Sequence, residues 1–131
     1  AALAEATHLH YAGHGRFAGF EGWGSGLPLR DAVLELRDVL AAPRVPGTVV
    51  LSGCETGKAA DGAAVGVGLA HAFLIRGAEA VVAPVRPVDD GQALVFGKAL
   101  YAARGEGASW AAAVARGVAA SGARDYRLFV P

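Results

Sequence analysis

Two glycine-flanked reactive side chains dominate this sequence. One is His14, in Tyr11-Ala12-Gly13-His14-Gly15. The other is Cys54, the one cysteine of the chain, in Leu51-Ser52-Gly53-Cys54-Glu55-Thr56-Gly57. A thiol with a pKa of about 8.5 is only a few per cent thiolate at neutral pH. An imidazole within reach lowers that pKa or takes the proton as attack begins. A lone Cys and a His, each following a β-like run, therefore point to nucleophilic catalysis with Cys54 as nucleophile and His14 as base. Gly13 and Gly15 allow a sharp turn and close approach of a substrate chain. The backbone amides of Gly15 and Cys54 are suited to hold the oxyanion of a tetrahedral intermediate, where losing one donor costs on the order of 100-fold in rate.

These residues need elements to hold them. Residues 7–12 read as a strand stopped by Gly13. Residues 16–29, with four glycines and Phe17, Phe20 and Trp23, read as a loop or short hairpin flap. Val33, Leu36, Val39 and Leu40 recur at helical spacing, which predicts a helix over 31–41 ended by Pro43 and Pro46. Thr48 to Ser52 is a β-branched run without polar alternation until Ser52, the pattern of a strand buried on both faces of a parallel sheet.

A loop is expected from Glu55 to Gly62. A helix over 63–76 follows, with Asp61 as N-cap, Val65, Leu69 and Phe73 on one face, and Gly77 at C′. Glu79 to Val85 is a second buried strand, closed by Pro84 and Pro87. Asp89 or Asp90 caps a helix to about Arg104. Ser109 caps another, with Trp110, Val114 and Val118 inward and Gly122 at its end. Tyr126 to Val130 is a last strand. Such alternation predicts an α/β fold with helices on both faces of the sheet. Sites in open α/β sheets form beyond the carboxyl ends of the strands. His14 and Cys54 lie there, 40 residues apart, on strands joined by one crossover. If those strands are neighbours, their backbones run about 5 Å apart and the two side chains can meet.

Bulk properties narrow the function classes. A chain of 131 residues makes one domain with a real core. Lys+Arg 12 balances Asp+Glu 12, and the basic residues are scattered singly, so there is no footprint for direct nucleic-acid contact. Mean hydropathy is +0.37, much of it from alanine. The longest apolar stretch, Val65 to Ile75, is too short to span a membrane. Ala1 to Ala6 lack the basic flank of a signal peptide. A single Cys excludes an internal disulfide framework and fits a reducing cytoplasm. No Cys or His cluster has zinc spacing, and no metal or other cofactor is expected. His8, His10 and His71 read as packing residues, and Trp23 and Trp110 as core or flap.

The motifs together resemble the caspase-like cysteine peptidases, the clan of caspases, metacaspases and separase, and within it the CHAT domains. The resemblance runs through His10 to Gly15, Ser25-Gly26-Leu27, Leu51 to Gly57, Gly68 to Leu74 with Gly77-Ala78, Val81-Val82-Ala83, and Pro87-Val88-Asp89-Asp90. The Gln-Ala before the nucleophile of animal caspases is absent, so the chain is not of that branch. The resemblance implies a three-layer α/β/α sandwich with a mostly parallel sheet. It puts the catalytic His at His14, the nucleophile at Cys54 and an oxyanion amide at Gly15. It implies an endopeptidase that cuts a partner protein, often in bacterial signalling or defence. An attached sensor module, such as TPR repeats in the same or another chain, would switch it on. Where these domains often carry Trp before Pro-Val-Asp-Asp, this chain has Arg86. Asp90 is a candidate acidic pocket for a basic substrate residue, and Arg86 a candidate partner for an acidic one. Plain helix capping is the competing role for Asp89 and Asp90.

One expectation concerns domain organisation. The first strand should lie mid-sheet, and an unpaired strand edge is an aggregation hazard. Residues 1–131 are therefore expected to be the C-terminal part of a larger domain, whose N-terminal half supplies the neighbouring strands. Two rival functions remain. A catalytically silent interaction module on the same fold would keep the architecture without the chemistry. A nucleotide-binding domain is disfavoured, since no G-x-G-x-x-G or Walker pattern joins a strand to a helix.

Overall fold

A computed structural model of the chain describes residues 6–12, 26–28, 33–52, 62–86 and 88–131. In chain order the elements are β1 (His8–Ala12), β2 (Gly26–Pro28), β3 (Val33–Glu35), α1 (Leu36–Ala41), β4 (Thr48–Ser52), α2 (Gly62–Ile75), β5 (Ala80–Pro84), α3 (Asp90–Gly105), α4 (Trp110–Ser121) and β6 (Tyr126–Phe129). The main sheet has the order β1-β4-β5-β6. β1, β4 and β5 are parallel, and β6 is antiparallel to β5. The direction follows from the connections. A single helix between β4 and β5 returns the chain to the starting end, so the strands run parallel. Two helices between β5 and β6 leave it at the far end, so β6 runs back.

Helices cover both faces, as an α/β/α sandwich requires. β4 and β5 are buried almost throughout, because successive side chains alternate between two covered faces. Val49, Leu51, Val81 and Ala83 pack with Val39 of α1 and Leu69, Ala70 and Phe73 of α2. Val50, Val82 and Tyr126 pack with Phe96 and Leu100 of α3 and with Ala113 and Val114 of α4. Each fully buried Val, Leu or Phe contributes about 1.5–3 kcal/mol, so two such layers hold β4 and β5 rigidly.

Local signals account for the helix ends. α2 closes in a Schellman motif: Ala78 N–H donates to the Phe73 carbonyl at 2.9 Å and Gly77 N–H to the Leu74 carbonyl at 3.1 Å. Gly77 adopts φ +111°, where a side chain would be strained. Asp89 is the N-cap of α3, accepting from Gln92 N–H at 3.1 Å, and Ser109 caps α4 by accepting from Ala112 N–H at 3.1 Å. α4 ends at Gly122, as its sequence predicts. The expected Asp61 cap of α2, the loop over 55–61 and Pro87 lie outside the described residues.

One expectation is corrected. The helix expected over 31–41 spans only Leu36–Ala41; Val33–Glu35 is instead a strand paired antiparallel with Gly26–Pro28. Spacing of three and four residues admits Val33 to a helix, but Val33 and Leu34 suit a strand equally, and β2 offers them backbone partners. Periodicity does not register a non-local partner. The flap expected over 16–29 contributes β2 to this ribbon, and its other residues lie outside the described set apart from 26–28.

Candidate active site

The parallel strands β1, β4 and β5 end on one side of the sheet, and antiparallel β6 begins there. β1 pairs with β4 in a register offset of 40, from His8↔Thr48 to Ala12↔Ser52. Both strands thus stop level with one another. In sequence, Gly13-His14 follows Ala12 and Gly53-Cys54 follows Ser52. His14, Gly15 and Cys54 themselves lie outside the described residues, so their side-chain and amide geometry is not described.

The rim around these strand ends is built from named contacts. Ser52, the last residue of β4, is 4% exposed, and its hydroxyl shares a hydrogen bond with the Tyr126 hydroxyl at 2.8 Å. The bond passes from β4 to β6 over the face of β5, whose Pro84 is the register partner of Tyr126. The Tyr126 ring stacks on Phe96 of α3 with centroids 3.7 Å apart and planes 3° from parallel. Phe96 in turn fills the space over Gly117 of α4, where a Cβ would lie 2.7 Å from its ring carbons.

Beyond β5 the chain is held by the residue before Tyr126. Val85 N–H donates to the Asp125 carbonyl at 2.8 Å. The Arg86 guanidinium lies 3.4 Å from the Asp125 carboxylate, with Arg86 73% exposed. Arg86, a candidate specificity residue, therefore has an intramolecular partner that a substrate carboxylate would displace. Asp90 stands exposed in the first turn of α3, one residue after Asp89, which does the capping.

A second polar cluster lies on β1, on the face toward α3. His8 Nδ1 is 2.7 Å from Thr48 Oγ1 and His8 Nε2 is 2.8 Å from Tyr101 Oη. The same Tyr101 oxygen is 2.8 Å from His10 Nδ1. His8 stacks on Trp110 at 6.1 Å between centroids, and the Arg104 guanidinium lies over Trp110 at 4.3 Å. Burial, then the charge of His10, then that of Arg104 lower the His8 pKa from its ordinary value; burial alone lowers that of His10. Burial pushes the Tyr101 phenol up to about 12, so it remains a neutral donor and acceptor. His8, His10 and His71 all make ring contacts at the surface rather than in the core, His71 lying edge-on to Phe129 at 6.0 Å. The hydrogen-bonded seam itself was not legible, because Tyr101 is 91 residues from His10.

Sequence reasoning also passed over Tyr126. Its signal was available on β4: Ser52 is the one polar residue to end an otherwise apolar buried run after Thr48, and a buried hydroxyl must find a partner. Among the described residues no group of three or more His, Cys, Asp or Glu could hold a metal ion, and no helix is long and apolar enough to cross a membrane.

Residues 1–122 match the family model described as the CHAT domain. The chain belongs to the CHAT domain family. CHAT domains are related to the caspase-like cysteine peptidases, and the four-stranded sheet with helices on both faces agrees with that kinship. No curated protein matches the chain. The CHAT match takes in the sequence around both His14 and Cys54, and it ends before β6, so Tyr126 lies beyond it.

Proposed function

We propose that this CHAT domain is a cysteine endopeptidase using a His14–Cys54 dyad. The observation that carries the reading is the register of β1 on β4, which ends both strands at the level pair Ala12↔Ser52. Neighbouring strands run about 4.8 Å apart, and two residues of chain reach at most about 7 Å. A His and a Cys each two residues past level, adjacent strand ends are thus within reach of one another, which supports the dyad. The family supplies independent support, being related to peptidases of this chemistry.

In this reading Cys54 Sγ attacks the scissile carbonyl carbon as His14 takes the thiol proton. The amides of Gly15 and Cys54 hold the resulting oxyanion. His14 returns the proton to the leaving amine, and the peptide bond breaks to leave a thioester. Water, deprotonated by His14, then hydrolyses the thioester and restores the thiol. Every proton moves through one imidazole, so the reaction balances without a metal or cofactor. The substrate is a partner protein, with Asp90 and Arg86 as candidate specificity residues. A sensor module, such as TPR repeats, switches the enzyme on in a bacterial cytoplasm, and strands from the N-terminal half of the domain pair with the outer edge of β1. Among the described residues β1 has a strand partner on one edge only.

The test is a proteome-wide search for new protein termini made by the wild type in the presence of its activating partner. Cys54→Ala and His14→Ala should each reduce those cleavages at least about 1,000-fold. Full cleavage by either variant sinks the dyad. Binding of the partner without any cleavage by the wild type would favour a silent interaction module.

A further inference from the structure

The dipeptide Asp125-Tyr126 touches the two backbone stretches that lead into the candidate site. Tyr126 holds the end of β4 through Ser52 at 2.8 Å, with both residues nearly fully buried. Asp125 holds the exit of β5 through its carbonyl to Val85 N–H and its carboxylate to Arg86. Tyr126 is itself immobilised by its stack on Phe96 and by its backbone pairing with Pro84. Breaking a buried hydroxyl pair costs free energy, since water is not at hand to replace the lost bond.

We propose that Tyr126 is a positioning residue for Cys54, acting through Ser52. The inference rests on the peptidase reading above. Ser52 is the last residue of β4 and, among the described residues, the point nearest Cys54 that is tied to the core; Cys54 is two residues further along the chain. Fixing Ser52 narrows the positions open to the thiol relative to the imidazole that must take its proton. Without the tether, the end of β4 can shift or fray, and a misplacement of about 1 Å in a reacting pair costs on the order of 100-fold. The Asp125 carbonyl ties down Val85 at the exit of β5 in the same way, next to the residue that ties down the end of β4.

The experiment reads the pH profile of Cys54 alkylation by iodoacetamide, in wild type and in Tyr126→Phe, Ser52→Ala, Ser52→Ala/Tyr126→Phe and His14→Ala variants. Circular dichroism and thermal unfolding establish that each is folded. In wild type the profile should lie below the ordinary thiol value of about 8.5, and His14→Ala should raise it toward that value. Tyr126→Phe should raise it too, lowering the rate at pH 7 roughly tenfold. The double variant removes both polar partners, so it should recover much of the thermal stability that either single change loses. A merely structural tether would then recover the wild-type profile as well; a positioning residue would not. The two readings fail differently. A profile that His14→Ala leaves unchanged overturns the dyad. A profile that His14→Ala moves but the folded Ser52 and Tyr126 variants leave in place overturns the positioning role alone.

Discussion

Two adjacent carboxylates at the start of α3 divide their work. The Asp89 side chain accepts from Gln92 N–H, satisfying one of the donors that every helix N-terminus leaves unpaired. Asp90, the first residue of the helix, is exposed and is not the cap. Asp89→Ala should therefore lower unfolding stability by about 1 kcal/mol in urea titration, and Asp89→Asn much less. Asp90→Asn should change stability by under about 1 kcal/mol, since the carboxylate is exposed in the first turn of the helix. If Asp90 lines the primary pocket, that same substitution should reduce cleavage after basic residues, read from a peptide library with Asp89→Asn as control; unchanged preference removes Asp90 from the pocket. Arg86 belongs to the same comparison. Its ion pair with Asp125 is long and solvent-exposed, and such pairs are worth under about 1 kcal/mol. Arg86→Ala should leave stability nearly unchanged, and any effect on cleavage would then report on substrate.

At the level of elements, α3 and α4 approach closely because α4 carries Gly117 where Phe96 sits. A Cβ there would lie 2.7 Å from two ring carbons and 3.2 Å from the Phe96 carbonyl oxygen. The ring cannot retreat, because its other side is stacked on Tyr126. Gly117→Ala should thus cost about 1–3 kcal/mol by overpacking, despite alanine's better helix propensity. Loss of stability below that range, or a gain, would show that the helices separate freely. Most of these elements were legible because their determinants are local: the β-branched run of β4, the caps Asp89 and Ser109, and the glycines after α2 and α4. The ribbon of β2 and β3 was not, since Val33 and Leu34 become strand only through a partner at 26–28. The same distinction governs the site. The level strand ends follow from a 40-residue spacing that the sequence displays, while the Ser52–Tyr126 bond joins residues 74 apart that no local pattern links.

Across the whole molecule, β1, the outermost parallel strand among the described residues, is fastened to the helical layer by a seam that depends on neutral histidines. Tyr101 has one proton to share between two imidazole nitrogens, so it donates to one and accepts from the other. With both histidines neutral, a continuous chain from Thr48 through His8 and Tyr101 to His10 is satisfied in either direction. Adding protons to both makes each nitrogen a donor toward the same oxygen and places two cations beside Arg104. Among the described residues the seam is touched by Thr48 of β4, Tyr101 and Arg104 of α3, and Trp110 of α4, none of them a carboxylate. The lowered pKa values of His8 and His10 express the same cost. The sign follows from linkage: the unfolded chain, with ordinary histidines near 6.5, binds more protons than the folded one in this window. The seam's stabilisation is therefore complete above about pH 6.5 and is lost progressively as pH falls through the lower folded values. Urea midpoints measured from pH 8 to pH 5 should fall with acidification, and His8→Gln/His10→Gln should flatten that slope relative to wild type. Equal slopes in the two proteins would mean that other groups carry the acid sensitivity. Hydrogen exchange should place the loss first in β1, the strand whose end leads to His14, so acid would loosen the approach to the candidate base before the core of β4 and β5 opens.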